Sequence, residues 1–144
     1  MTKLKWWMRI VGAFYLLDFV MKTFILAPIS SVGPKGALDK AASGDPMARF
    51  LVDTWVGFGL EAGAIGAALL IASRRPDLSR TLVWAVIGVE LVRGIAYDIY
   101  MIARGYEPMS FIIWIAIHTT IIVSAVICLR IGRPAEGAAA ARAG

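Results

Sequence analysis

Four long apolar stretches dominate this chain of 144 residues. They cover residues 6–27, 47–73, 81–103 and 109–129. At ~1.5 Å per residue, each stretch is long enough to cross the ~30 Å of hydrocarbon in a bilayer. We therefore expect an all-α polytopic membrane protein, folded as an antiparallel bundle of four transmembrane helices.

The composition leaves little room for anything else. Hydrophobic residues make up 59% of the chain, against ~45–50% in ordinary soluble proteins. We expect a single four-helix membrane domain over residues 1–131 and a disordered cytoplasmic tail over 132–144. The sizeable loop, residues 28–46, is predicted to carry a short surface helix over 35–42. Asp45 followed by Pro46 then predicts the start of the second long helix, with Asp45 as its N-cap.

The net charge of +5 is distributed in a way that indicates membrane topology and argues against nucleic-acid binding. Many basic residues precede or open the first span, lie between the second and third, or follow the fourth, and these segments share one side of the membrane. The positive-inside tendency makes that side cytoplasmic, so both termini are expected there. These residues are Lys3, Lys5, Arg9, Arg74, Arg75, Arg80, Arg130, Arg133 and Arg142.

Ionisable residues at membrane depth are the most informative for function. A charged side chain at the bilayer centre costs ~2.5–3.5 kcal/mol on insertion scales, so such residues normally face one another, water or a ligand. Every predicted helix contributes at least one polar group to the outer or middle layer of the membrane. The full set is Asp18, Lys22, Asp53, Glu61, Glu90, Arg93, Asp98 and His118. The pattern predicts a polar cavity inside the bundle, open toward the outside.

Helical spacing predicts which of these groups meet. Glu90, Arg93 and Tyr97 fall at i, i+3 and i+7 on one face of a straight helix, and Asp98 lies about one residue off that stripe. Asp18 and Lys22 form an i, i+4 pair. Asp53 lies four residues before Gly57, and Glu61 lies four residues after it.

The acids outnumber the bases in this set. Five acids accompany only Lys22 and Arg93, so some carboxyls must bind a proton, a cation or water. We expect a site for a small amphipathic molecule that is cationic or donates hydrogen bonds. Its ligand-binding residues are predicted to be Asp18, Asp53, Glu61, Glu90, Arg93, Tyr97, Asp98 and His118. The alternative is structural, since buried polar groups can simply hydrogen-bond helices together.

His118 has no second histidine or cysteine near it, which makes a metal site a poor interpretation. A hydrogen bond from His118 to an acid of the third helix is the better prediction. The sequence predicts no cofactor, and it identifies no catalytic residue.

Gly59 and Gly63 form a G-x-x-x-G motif, which allows close approach of helix backbones in lipid. Packing inside the bundle is the simpler interpretation. An interface in a homo-oligomer is the alternative.

Several short stretches resemble the BphX-like family of small bacterial membrane proteins. They are Lys5-Trp6-Trp7-Met8-Arg9, Gly44-Asp45-Pro46, Phe50-Leu51-Val52-Asp53-Thr54-Trp55, Gly59-Leu60-Glu61, Tyr97-Asp98-Ile99-Tyr100, Arg104-Gly105-Tyr106 and Ile117-His118. The resemblance implies a four-helix protein of the bacterial inner membrane, sometimes associated with the breakdown of aromatic compounds, and it carries no established activity. A looser similarity extends to the DoxX-like group and to the sterol-isomerase and sigma-2-receptor group, in which acids inside the bundle hold a cationic ligand. That similarity is one of fold alone.

Three functional hypotheses follow. The first is a protein of the inner membrane that binds or transports a small molecule at an acidic pocket. The second is a membrane enzyme of the isomerase type that uses Glu61 or Glu90 for acid–base chemistry. The third is an accessory subunit that docks on a larger membrane complex through Gly59 and Gly63.

Overall fold

A computed structural model describes residues 2–26 and 37–131, and all regular secondary structure within these ranges is helical. The all-α class is therefore confirmed. The elements are α1 (Thr2–Val20), a first π-helical segment (Met21–Leu26), α2 (Ala37–Ala42), α3 (Pro46–Ala72), α4 (Arg80–Val89), a second π-helical segment (Glu90–Ala96), α5 (Tyr97–Ala103) and α6 (Pro108–Ile131).

The helix boundaries agree closely with the apolar stretches. Asp45 caps α3 as predicted, because its Oδ1 accepts hydrogen bonds from the backbone N–H groups of Met47 and Ala48, both at 2.9 Å. Glu107 serves the start of α6 in the same way, with Oε1 2.8 Å from the N–H of Met109. The predicted surface helix is present as α2. The first two residues of that prediction, 35 and 36, lie outside the described ranges, as does the predicted tail 132–144.

Two of the helices, α3 and α6, are long and apolar enough to cross a membrane. Large apolar side chains are exposed along α6, among them Ile112, Ile113, Val123 and Ile127. Such exposure is unusual on a water-facing surface and typical of a lipid-facing one. Length and composition thus support a membrane protein with two candidate spans.

The chain divides into two compact units. Unit 1 combines Met1–Met8 with Ala72–Gly144, and unit 2 covers Arg9–Ile71. The prediction of one membrane domain over residues 1–131 stays a prediction.

Unit 1 is built around a helical hairpin. The run from α4 through the second π-helical segment to α5 is continuous, and α6 packs back along it. At one end Arg80 donates a hydrogen bond to the carbonyl of Leu129 at 2.7 Å. The first turns of α1 pack on the same part of α6, where the indole N–H of Trp7 donates to Ser124 Oγ at 2.9 Å. These contacts make the two long arms antiparallel.

Unit 2 pairs α1 and the first π-helical segment with α3 through small residues. A Cβ atom placed on Gly66 would lie 2.7 Å from the carbonyl oxygen of Gly12. On Gly59 it would lie 2.6 Å from Thr23 Oγ1, and on Gly63 it would lie 2.9 Å from the ring of Phe19. The G-x-x-x-G motif therefore serves packing within the chain, which was the simpler of the two interpretations. A homo-oligomer stays a prediction, but these two glycines face a helix of their own chain.

Candidate functional site

The imidazole of His118 lies between two buried carboxylates in unit 1. Its Nδ1 is hydrogen-bonded to Glu90 Oε2, and its Nε2 is 3.7 Å from Asp98 Oδ2. Glu90 is at the start of the second π-helical segment, Asp98 is in the first turn of α5, and His118 is near the middle of α6. The predicted hydrogen bond from His118 to an acid of the third long helix is confirmed.

Both acids are covered by the fold. Glu90 is 2% exposed and Asp98 is 6% exposed, whereas the side chain of His118 is 21% exposed. Carboxyl groups at such depth are costly unless polar groups compensate them. The imidazole of His118 lies next to both, and the three side chains are called here the acid–imidazole cluster.

The π-helical segment explains why the two acids share a face. Glu90 and Asp98 are eight residues apart, which in a straight α-helix separates them by about 80° around the axis. The i→i+5 hydrogen bonds of a π-helix accommodate an extra residue. With that residue absorbed, the spacing behaves as seven residues, and the two side chains are within about 20° of each other. Short π-helical segments occur frequently at functional sites.

Gly94, midway between the two acids, makes room for the ring. A Cβ atom at this position would lie 2.6 Å from His118 Cγ and from His118 Nδ1. Real Cβ contacts are essentially never that short, so a side chain at residue 94 would displace the imidazole. Gly94 was not among the residues predicted to form the site. The sequence pattern that could have identified it is the regular spacing of Glu90, Gly94 and Asp98, in which a small residue lies midway between two acids.

An aromatic side chain completes the surroundings of the ring. Trp114 precedes His118 by one turn of α6, and the two ring centroids are 5.9 Å apart with their planes tilted by 31°. The indole therefore lies beside the imidazole, so that the cluster has an apolar wall as well as acidic partners.

The remaining predicted residues of unit 1 are placed differently from the straight-helix expectation. Arg93 is half-buried in the second π-helical segment, and Tyr97 is 43% exposed at the start of α5. The predicted stripe of Glu90, Arg93 and Tyr97 is therefore wrong as a common face, because the π-helical segment turns Tyr97 outward and Asp98 inward.

Unit 2 holds a separate polar pair. Lys22 Nζ is 2.7 Å from Asp18 Oδ2, which confirms the predicted i, i+4 pair. The same ammonium lies 5.7 Å from the ring centroid of Trp55 on α3, within the range of a cation–π interaction. Both side chains of the ion pair are largely buried, at 20% and 15% exposure. Lys22 thus lies next to one carboxylate and one aromatic ring.

Asp53 and Glu61 have the same spacing as Glu90 and Asp98, yet both are exposed. The glycine between them, Gly57, is in α3, which stays α-helical throughout. Without a π-helical segment, the two acids are about 80° apart around the helix. A Cβ atom on Gly57 would have nothing within 4 Å, so no ring fits against it as His118 does at Gly94. Their predicted role in ligand binding stays a prediction.

The chemistry open to the acid–imidazole cluster follows from its charges. Two carboxyl groups face one imidazole, so acidic groups outnumber the basic one among these three side chains. Such a group suits cations and hydrogen-bond donors, and the hydrogen bond between Glu90 and His118 can carry a proton between the two side chains. Within the described residues, no group of three or more His, Cys, Asp or Glu side chains has the arrangement of a metal site.

Comparison with known proteins gives a consistent family. Residues 1–133 match the BphX-like family. An uncharacterized BphX-like protein of Burkholderia cepacia is 31% identical over 112 residues, which are 75% of this chain and 77% of the relative. An uncharacterized BphX-like protein of Paraburkholderia xenovorans strain LB400 matches with the same identity and coverage. No solved structure matches the chain. The resemblance that the sequence motifs carried is thus confirmed, and the chain belongs to the BphX-like family.

Proposed function

We propose that this chain is a protein of the bacterial inner membrane that binds or transports a small amphipathic molecule at the acid–imidazole cluster. The ligand is a cation or a hydrogen-bond donor with an apolar part. Glu90 and Asp98 supply acidic groups, His118 orients Glu90 through their hydrogen bond, and Trp114 offers an apolar surface.

One observation carries the proposal. The imidazole of His118 contacts two carboxyl groups that are almost fully buried, Glu90 and Asp98. Among these three side chains the acids outnumber the imidazole by two to one. A cationic or hydrogen-bond-donating ligand suits such an acidic group.

The proposal includes the membrane arrangement. In addition to α3 and α6, the uninterrupted helical runs 2–26 and 80–103 each exceed the ~20 residues that a bilayer requires. Four spans would form an antiparallel bundle with both termini on the cytoplasmic side, where the basic residues concentrate. His118, near the middle of α6, would then be at membrane depth.

An acid–base enzyme of the isomerase type is the second candidate. The contact between His118 and the buried Glu90 favours it, because a carboxyl held by an imidazole can exchange a proton with a bound substrate. In this alternative Glu90 is the acid–base group. The third hypothesis, an accessory subunit docking through Gly59 and Gly63, has less support because α1 and the first π-helical segment already contact these glycines.

The test is to identify what co-purifies with the protein. The detergent-purified wild type and the double variant Glu90→Gln/Asp98→Asn are analysed by native mass spectrometry and by extraction of small molecules. Both substitutions remove charge while preserving side-chain shape. The expected result is a bound small molecule in the wild type that is lost from the variant.

Asp39→Asn is the matched control, because it removes one exposed carboxylate that no prediction places at the binding site. It should retain the bound molecule. A molecule that is lost equally from the control would contradict the assignment of the cluster as the binding site. Turnover of the identified molecule by the wild type, abolished by Glu90→Gln, would favour the enzyme alternative.

A further inference from the structure

One end of unit 1 concentrates basic side chains from three separate segments of the chain. The last turn of α6 is where they meet. Leu129 accepts the hydrogen bond from Arg80 at the start of α4. The neighbouring Cys128 places its Sγ 3.9 Å from the carbonyl oxygen of Lys3 in the first turn of α1. The tertiary contacts, and not the order of the sequence, bring these segments together.

The turn between α3 and α4 is held firmly at the same end. The hydroxyl of Ser79 donates to the carbonyl of Arg75 at 2.8 Å and lies 3.2 Å from that of Ala72. The backbone N–H of Arg75 also bonds to Ala72 at 3.0 Å. Arg74 and Arg75 are therefore displayed on an ordered turn, and both are exposed.

The charge balance at this end is strongly positive. Residues 2–8, 72–82 and 126–131 contain six basic side chains and one acid, Asp77. The basic residues, called here the basic end, are Lys3, Lys5, Arg74, Arg75, Arg80 and Arg130. Two helix N-termini, those of α1 and α4, lie at the same end and add positive partial charge.

A second feature identifies the surroundings of the basic end. Trp6 is 55% exposed between Lys5 and the buried Trp7. Exposed tryptophans beside basic residues at the end of an apolar helix are typical of the headgroup layer of a membrane. The basic end thus combines the charge and the aromatic side chain that suit a layer of phosphate groups.

We infer that the basic end of unit 1 is a binding site for the phosphate headgroups of anionic phospholipids. The guanidinium groups of Arg74 and Arg75 are the principal contacts, since arginine binds phosphate in a bidentate manner. Lys3 and Arg130 add charge from the neighbouring helices. The inference rests on the membrane arrangement proposed above and is independent of the ligand at the acid–imidazole cluster.

The experiment measures lipid binding to the detergent-purified full chain by native mass spectrometry. The probes are dioleoylphosphatidylglycerol and dioleoylphosphatidylcholine, which share acyl chains and differ in headgroup charge. Each basic residue near an anionic surface contributes roughly a fivefold gain in affinity. We expect clear preference for phosphatidylglycerol, and a loss of roughly 30-fold in the double variant Arg74→Gln/Arg75→Gln.

The matched control is Lys40→Gln/Arg104→Gln, which removes the same charge at two exposed positions that do not belong to the basic end. It should keep the preference. Equal binding of the two lipids by the wild type, or an equal loss in both double variants, would overturn the inference. Displacement of phosphatidylglycerol by millimolar inorganic phosphate would overturn the assignment to a lipid and indicate a site for free phosphate. The variant Arg74→Gln/Arg75→Gln should still bind the small molecule at the acid–imidazole cluster. That result would show that the loss of lipid binding does not come from a loss of the proposed ligand site.

Discussion

The imidazole ring of His118 lies against the backbone of Gly94, in the space that a side chain at residue 94 would occupy. This contact joins the second π-helical segment to α6 between Glu90 and Asp98. A helix that carried alanine at residue 94 would have to displace the ring or separate from α6. The absence of a side chain at Gly94 therefore allows His118 to lie between Glu90 and Asp98 in the acid–imidazole cluster.

Gly94→Ala is expected to destabilise the protein by about 1–3 kcal/mol, the usual range for a side chain forced into a filled space. The measurement is unfolding by SDS titration of the detergent-purified protein. Gly88→Ala is the control, because a Cβ atom there would have nothing within 4 Å. Alanine at residue 88 should cause no loss, since it favours helix more than glycine does. Equal destabilisation by both substitutions would refute the role of the ring contact.

Glu90 and His118 should be energetically coupled. Removing the imidazole takes one hydrogen-bond partner from the buried carboxyl of Glu90. His118→Asn should therefore destabilise the wild type more than it destabilises the Glu90→Gln variant. A double-mutant cycle should give a coupling energy of about 0.5–3 kcal/mol, as is usual for residues in contact. Arg104→Gln combined with Glu90→Gln serves as the control pair and should be additive. A coupling energy near zero for Glu90 and His118 would contradict the contact.

Gly66→Ala should destabilise unit 2. Its added Cβ atom would lie 2.7 Å from the carbonyl oxygen of Gly12, a backbone atom that cannot rotate away. The expected cost is about 1–3 kcal/mol, measured as a lower midpoint of thermal unfolding by circular dichroism. Gly57→Ala on the same helix has open space and should leave the midpoint unchanged or raise it. The reverse order of the two variants would show that α1 and α3 do not pack as described.

The pair of Asp18 and Lys22 gives a further prediction about charge. Lys22→Met leaves Asp18 largely buried without its ammonium partner, whereas Asp18→Asn/Lys22→Met removes both charges. Breaking a buried ion pair on one side is more costly than replacing both members. The single variant should therefore unfold at a lower temperature than the double variant. A double variant less stable than the single variant would contradict this prediction, because it would show that the Asp18 carboxylate stabilises the fold without Lys22.

Much of the fold could be predicted because it depends on the hydropathy of long stretches and on residues that are neighbours in the sequence. The apolar stretches predicted the long helices, and Asp45 with Pro46 predicted the start of α3, since capping requires only neighbouring residues. The pair of Asp18 and Lys22 depends on one turn of helix and was equally accessible. The hydrogen bond of His118 to an acid of the third long helix followed from the scarcity of other polar partners in an apolar chain.

The acid–imidazole cluster was only partly predictable. In a straight α-helix, Tyr97 would lie on the same face as Glu90, and Asp98 would lie to one side of that face. The π-helical segment from Glu90 to Ala96 reverses that result, because one absorbed residue rotates everything after it by about 100°. The segment contacts α6 at Gly94, and such a contact between residues far apart in the chain is not visible in the local sequence.

The sequence by itself determined that this protein is helical, that it is apolar enough for a membrane, and that acids are placed along its helices. Those properties depend on composition and on the period of the α-helix. Only the tertiary structure decided which acids meet. Asp53 and Glu61 share the spacing of Glu90 and Asp98 but are exposed, while the latter two enclose His118. The physical reason is that the register of one helix against another, and the close packing at a glycine, depend on contacts between helices. Two pairs of acids with the same spacing in the sequence can therefore contact different side chains.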